Sequence, residues 1–255
     1  MTRWKLTVEY DGGAYAGWQR QDNGPSIQQC MEEAVFRFCG ETARVHGSGR
    51  TDAGVHALAQ VAHVDIEKET DAHTVREALN AHMREERIVV TKAEATSEEF
   101  HARVSAVERS YLYRILNRRP RPALDAGRVW HVPLPLDAEA MHDAAQVLVG
   151  RHDFTSFRAA MCQAKSPVRT LDELRVVKAG DEIHIHARAR SFLHHQIRNF
   201  AGTLEMVGAG KWTSEDVAAA LAAQDRSAAG PTAPPEGLYL VAVKYPETET
   251  VQAPE

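Results

Sequence analysis

Arg3-Trp4-Lys5-Leu6-Thr7-Val8-Glu9-Tyr10 alternates without a break, with Trp4, Leu6, Val8 and Tyr10 on one side and Lys5, Thr7 and Glu9 on the other. A period of two is the pattern of a half-buried β-strand. The next elements along the chain give that strand its context. Ser26 opens a helix with Gln29 three residues on, a capping-box spacing. Ile27, Met31, Val35 and Phe38 supply its apolar stripe, and Gly40 ends it. Arg44–His46 and Ala57–Asp65 read as the next two strands. Thr74–Met83, with Val75, Leu79 and Met83 on one side, reads as a helix, and Ile88–Ala93 as a closing strand. The order is β-α-β-β-α-β.

The order then returns. Ser110–Leu116 is a strand, and Asp137–Val149 a helix with Met141, Ala145 and Leu148 inward, stopped at Gly150. Leu174–Val177 and Glu182–Ala189 form a hairpin across Ala179-Gly180-Asp181. Leu193–Val207 carries Ile197, Phe200, Leu204 and Val207 at helical spacing, Thr213–Ala223 adds a helix, and Leu238–Tyr245 closes as a strand. The expected class is α+β: two ferredoxin-like halves joined into one continuous, mainly antiparallel sheet, with helices on one face and a central cleft. Residues 1–104 make the first half and 105–245 the second, with the crossover in 95–108. Pro231-Thr232-Ala233-Pro234-Pro235 is a connector, and 246–255 a flexible acidic tail. Ligand sites favour such junctions.

Length and composition agree with a folded, soluble chain. The 255 residues are 44% hydrophobic and 25% charged, the balance of an ordinary globular protein of one large domain or two small ones. No apolar run approaches the roughly 18 to 20 residues of a membrane helix. The start lacks the apolar block of a signal peptide, and Cys30, Cys39 and Cys162 form no CxxC pair. A cytoplasmic protein without a disulfide framework is expected. Net charge is −5, yet residues 101–212 hold 17 Lys and Arg against 11 Asp and Glu, leaving 13 against 24 elsewhere. A basic middle on an acidic body suits a local polyanion site, or arginines scattered on a solvated face.

One stretch stands out between two strands: His46-Gly47-Ser48-Gly49-Arg50-Thr51-Asp52-Ala53-Gly54-Val55-His56-Ala57. Glycines let a backbone take positive φ and let a ligand approach closely. Arg50, two residues before Asp52, can reach the same side, and a guanidinium favours the ionised form of a neighbouring carboxylate. An ionised carboxylate in a cleft can act as a nucleophile. A glycine-rich hairpin with a surface ion pair fits the same residues. A phosphate loop does not, for there is no GxxxxGK[ST], and a calcium loop would need more than one carboxylate.

The stretch from Gly49 to Ala57 resembles the signature of the TruA-type tRNA pseudouridine synthases. Tyr10-Asp11-Gly12 with Gly17-Trp18-Gln19, Phe100-His101-Ala102-Arg103 and Arg109-Ser110-Tyr111-Leu112-Tyr113 match the same family in order. So do Asp153-Phe154-Thr155-Ser156-Phe157, Phe192 through Asn199, and Glu236-Gly237-Leu238-Tyr239-Leu240. The resemblance runs from about Arg3 to Tyr245. It implies conversion of uridine to pseudouridine in tRNA without a cofactor, at nucleotides 38 to 40 of the anticodon stem-loop. By the same resemblance Asp52 is the nucleophile, with attack at C1′ or at C6 both open. Arg50 pairs with it and fills the stack left by a flipped uridine. Tyr111 packs on the base and is a candidate for removing the C5 proton, Arg198 makes a second ion pair from the other half, and Leu238 lines the pocket. A homodimer is implied as well.

RNA contacts are expected from the basic middle. Arg103, Arg109, Arg114, Arg118, Arg119 and Arg121 fall within 19 residues, interleaved with Tyr111 and Tyr113. Arginine forks suit phosphates and aromatic faces suit bases. Phe100, His101, Ala102, Arg103 and Val104 form one candidate contact segment. Cys162, Gln163, Ala164, Lys165 and Ser166 form another, resembling a tRNA-contacting loop of the family. Val104 stands where the family has an aromatic, and Lys165-Ser166 where Arg-Thr is common. His194 and His195 are adjacent on the expected helix, where neighbours diverge by about 100°, and no HxE or paired CxxC accompanies them, so no metal is expected. The same features also fit a catalytically inactive RNA-binding platform or chaperone, or a synthase acting on a different RNA.

Overall fold

The computed structural model describes residues 1–22 and 24–246. Strands Thr2–Tyr10 (β1), His46–Gly47 (β2), His56–Ile66 (β3) and Ile88–Thr96 (β4), with helices Ile27–Cys39 (α1) and Ala72–His82 (α2), make one lobe. Strands Glu108–Leu116 (β5), Trp130–His131 (β6), Gly150–Asp153 (β7), Val168–Ala179 (β8), Glu182–Ala189 (β9) and Leu238–Lys244 (β10) make the other. Its helices are Ala138–Gln146 (α3), Gln196–Gly208 (α4) and Ser214–Ala223 (α5). The ten strands form one sheet in the order β4-β1-β3-β10-β5-β9-β8-β7, with β2 also on β3 and β6 on β5.

In each lobe the first strand lies between the last two: β1 between β3 and β4, β5 between β9 and β10. The expected doubled α+β architecture is therefore present. The lobes meet where β10 runs parallel to the start of β3, with Tyr239 opposite His56 and Leu240 opposite Ala57. The other neighbours along this path are antiparallel. β2 pairs with the far end of β3, through His46–His63 and Gly47–Ala62. The connection from β2 back to β3 thus passes the seam, which brings the Gly49–Val55 stretch there.

Burial alternates along β9, along β1 from Arg3, and along β5 as far as Ile115, so one face of the sheet is covered. Leu6, Val8, Ile27, Met31, Leu79, Tyr113, Ile185, Phe200 and Leu240 belong to one continuous core. Ser26 caps α1 by accepting from the Gln29 N–H, but the Gln29 side chain turns to Glu33 instead of closing the box. A reciprocal capping box is found at α5, between Thr213 and Asp216. Gly40 ends α1 at φ 77°, in the left-handed region that favours glycine.

Three sequence expectations change. The Asp137–Val149 helix is shorter and stops at Gln146, and Gly150, at φ 110°, begins β7 instead of ending the helix. β7 carries Arg151, His152 and Asp153 at the sheet edge, so no alternation announced it. The Leu193–Val207 helix starts only at Gln196, because His195 has φ 62° and the chain cannot be helical through it. Of the expected tail, residues 247–255 lie outside the described residues. No helix among the described residues is long and apolar enough to cross a membrane.

Candidate active site

The loop between β2 and β3 is held from below by polar groups that the core cannot leave unpaired. Buried Gln60 accepts from the Ser48 hydroxyl at 2.6 Å and donates to the Gly49 carbonyl at 2.9 Å. Thr51, also buried, shares a 2.8 Å hydrogen bond with the Tyr10 hydroxyl, and its carbonyl accepts from the Trp18 N–H. Gly17 permits that approach: at φ 106° it lies so close that a Cβ would stand 2.6 Å from the Thr51 oxygen. Arg109 adds a brace from β5. Only 8% exposed, it donates to the carbonyls of Ser48, Arg103 and Arg190, tying three loops to one strand. Burial lowers its pKa, since no carboxylate offsets the desolvation.

This scaffold fixes Asp52, and the second lobe grips it. His194 Nε2 lies 3.1 Å from Oδ1, His195 Nε2 lies 3.3 Å from Oδ2, and Arg198 Nη1 lies 3.3 Å from the same Oδ2. Arg198 is in turn fixed by the connector: its Nε donates to the Ala233 carbonyl and its own carbonyl accepts from the Ala233 N–H. The expected Arg198–Asp52 ion pair is thus present, across the seam. Burial lowers the His195 pKa more than Asp52 raises it, so the ring is neutral at neutral pH. The expected Arg50–Asp52 ion pair is not formed among the described residues. Arg50 is exposed, and the basic side chains against Asp52 come from the other lobe.

His194 and His195 do not diverge as helical neighbours would. Both precede α4, and both rings turn to Asp52. The donor atoms of Asp52, His194 and His195 lie within 4.8 Å of one another, which a transition metal can draw together. Arg198 opposes that fit, because a dication there would face a fixed guanidinium 3.3 Å from the shared carboxylate oxygen.

Tyr111, on β5, is 8% exposed, with its hydroxyl against Gly49 and its ring edge-on to Phe192. Burial, helped by the Asp52 charge, pushes its phenol up to about 12. At neutral pH it is therefore a protonated ring face. Leu238 starts β10, buried, opposite Tyr113.

A family model described as tRNA pseudouridine synthase matches residues 6–104 and 144–246. The tRNA pseudouridine synthase A of Rhodospirillum rubrum is 65% identical over 246 residues, which cover 96% of this chain and 88% of the relative. That of Rhodospirillum centenum is 62% identical over 245 residues, covering 96% of this chain and 100% of the relative. The chain belongs to the tRNA pseudouridine synthase family.

Not every cation expected to face RNA is available in this synthase. Arg114 is taken up by a two-pronged bond to Glu182, which raises its pKa, and by a contact with Asp125. Arg118 pairs with Asp181 at the surface, while Arg119 is exposed. In the 100–104 segment, Ala102 is buried, with its N–H on His63 and its carbonyl on Tyr245, and Phe100 packs on Tyr245. His101 packs tilted against His46 and edge-on to His63, and accepts the Arg103 and Val104 N–H groups. Only Arg103 and Val104 of that segment are exposed. In the second segment Gln163, Lys165 and Ser166 are exposed, whereas Cys162 and Ala164 pack against the core. The Ala159 N–H at the head of this loop donates to the His194 carbonyl at 2.9 Å, which links the loop to the Asp52 cluster.

Proposed function

We propose that Asp52 is the nucleophile with which this synthase converts uridine to pseudouridine in the anticodon stem-loop of tRNA, at nucleotides 38 to 40. The reaction balances within the nucleoside. The N1–C1′ bond breaks, the C5–C1′ bond forms, the C5 proton leaves and N1 gains one, so no redox partner or group donor is required. A carboxylate that adds covalently and is then expelled is regenerated at the end, whether it adds at C1′ or at C6. The observation that carries this reading is the position of Asp52, on a braced loop of one lobe with an arginine and two imidazoles of the other against its carboxylate.

A uridine must leave the helix to reach that carboxylate. Exposed Arg50 is the side chain to fill the vacated stack, and Tyr111 and Leu238 flank the extruded base. Because its environment disfavours the phenolate, Tyr111 acts first as a packing face, and as the candidate for taking the C5 proton its phenol must pass its own proton on in the same step, N1 being the atom that gains one overall. Arg103, Val104, Gln163, Lys165, Ser166, Arg118 and Arg119 touch the RNA around the site. The two lobes, 1–104 and 105–245, act as units that close on it. The working form is a cytoplasmic homodimer, which sedimentation at assay concentration tests.

The deciding experiment maps pseudouridine in bulk tRNA treated with purified protein and with Asp52→Ala. The wild type modifies nucleotides 38 to 40, while Asp52→Ala loses turnover and keeps its tRNA affinity. Turnover that survives Asp52→Ala refutes the nucleophile assignment, and modification elsewhere refutes the substrate assignment.

A further inference from the structure

The three side chains against Asp52 are not equivalent: Arg198 donates a hydrogen bond to it, while the His194 and His195 rings lie in close contact. His194, on Oδ1, is 42% exposed, whereas on Oδ2 His195 is 28% and Arg198 14% exposed. Oδ1 thus has one partner, on the open side, and Oδ2 has two on the closed side. The Arg198 side chain cannot swing away without breaking its Nε bond to the Ala233 carbonyl.

His195 is held as firmly, by its backbone. Its φ of 62° makes it one of two non-glycine residues with positive φ among the described residues. A bulky residue keeps such a conformation only where its surroundings over-determine it, and such outliers gather at functional sites. Here the Leu193 N–H is capped by the Gln196 side chain at 2.8 Å, and the His195 carbonyl accepts from the Asn199 N–H at 2.9 Å. The turn aims the ring at Oδ2. His194 leans its ring on His195, 4.0 Å between centroids, and its backbone is tied through its carbonyl to the Ala159 N–H of the 158–166 loop, whose exposed side chains face solvent.

We propose that the two oxygens of Asp52 have separate tasks: Oδ2 is the anchor, fixed by His195 and Arg198, and Oδ1 is the reacting oxygen. In the free protein His194 masks Oδ1, and the incoming nucleoside displaces it. The proposal rests on Asp52 being the nucleophile. His195 is a positioning residue, since it acts through Asp52. Its ring lies 3.3 Å from Oδ2 and blocks that oxygen from turning toward the open side; the charged or titratable groups facing it are Asp52, His194, Arg198 and Arg226. RNA seated on the 158–166 loop pulls on the backbone of the very residue whose ring covers Oδ1, which couples binding to unmasking.

The test uses full-length protein, bulk tRNA, single-turnover rates at saturation and tRNA affinity by filter binding. His195→Ala slows the saturated rate about 10- to 100-fold, the usual effect of removing an orienting partner, with tRNA affinity within about threefold. His195→Gln, which restores a polar side chain of similar reach, recovers part of that loss. His195→Asn tolerates the left-handed backbone but is too short, so it folds and stays slow. His194→Ala acts in the opposite sense, lowering the tRNA concentration needed for half-maximal rate, because nothing has to be displaced. Equal rate losses in the His194 and His195 variants, or an unchanged rate in His195→Ala, overturn the division of labour. Turnover by Asp52→Ala would instead overturn the reading beneath it.

Discussion

Mild acid should loosen this fold at one identifiable place. On β3, His63 is 3% exposed, stacked 4.9 Å from His46 and edge-on to His101 at 4.7 Å. Its Nδ1 accepts the Ala102 N–H at 3.1 Å. Burial, then the two neighbouring imidazoles, bring its pKa from 6.5 down to about 4. The unfolded chain takes up that proton near 6.5 and the folded one only near 4. Between these values the unfolded state binds more protons, so stability falls as pH falls. At about 1.4 kcal/mol per pH unit the loss is roughly 2 kcal/mol by pH 5 and about 3 kcal/mol by pH 4. Urea unfolding of wild type and His63→Gln at pH 7.5 and pH 5 measures it. Glutamine keeps an acceptor for Ala102 and does not titrate, so most of the pH dependence should vanish in the variant. A residual slope is expected from His46, His56, His186 and His195, whose pKa values burial also lowers. If both proteins lose the same stability between the two pH values, the reasoning is refuted. Hydrogen exchange at the Ala102 amide should report the same event locally, as the 100–104 segment detaches first.

Gly202 lies inside α4, where a Cβ would stand 1.8 Å from the Pro231 carbonyl oxygen. Gly202→Ala should therefore cost about 1–3 kcal/mol of stability by overpacking, despite the helix preference for alanine, and shift the connector that holds Arg198. Thermal melting and single-turnover rates should both register it. Arg109→Met leaves the Ser48, Arg103 and Arg190 carbonyls without their donor, so it should lower stability by about 3 kcal/mol or more in urea titrations. Arg119→Ala should weaken tRNA binding and flatten the slope of log affinity against log salt by about one unit. Arg114→Ala, whose charge is already matched by Glu182 and Asp125, should leave that slope unchanged and lower the melting temperature.

The architecture was legible because β1, β5 and β9 each had one covered face. Trp4, Leu6, Val8 and Tyr10 face the core of β1, as Ile183, Ile185, Ala187 and Ala189 do in β9, and such alternation survives in the bare sequence. β7 was invisible because an edge strand of four residues needs no pattern. At the site, Asp52 and Arg198 were legible from their motif and meet as expected. His194 and His195 were missed for a physical reason: the helical stripe from Leu193 onward runs through a residue whose backbone is left-handed. Gln196, three residues after Leu193, was the available signal, since a side chain at that spacing caps the preceding N–H and marks a helix start. Arg109 and Arg114 were read as RNA contacts because arginine content alone does not tell a buried brace from a free surface cation. Only their partners do.

The strand that closes the seam comes last of the ten in the chain, although it lies in the middle of the sheet. During synthesis β3 and β5 are therefore complete while the slot between them is still vacant, each with an unpaired row of backbone groups. Only when 238–244 emerge do the lobes register and α4 come to face the loop of Asp52. A ribosome stalled ahead of that strand would carry a protein with most of its core and none of its chemistry. Sticky edges in such a nascent chain make it a natural client for chaperones.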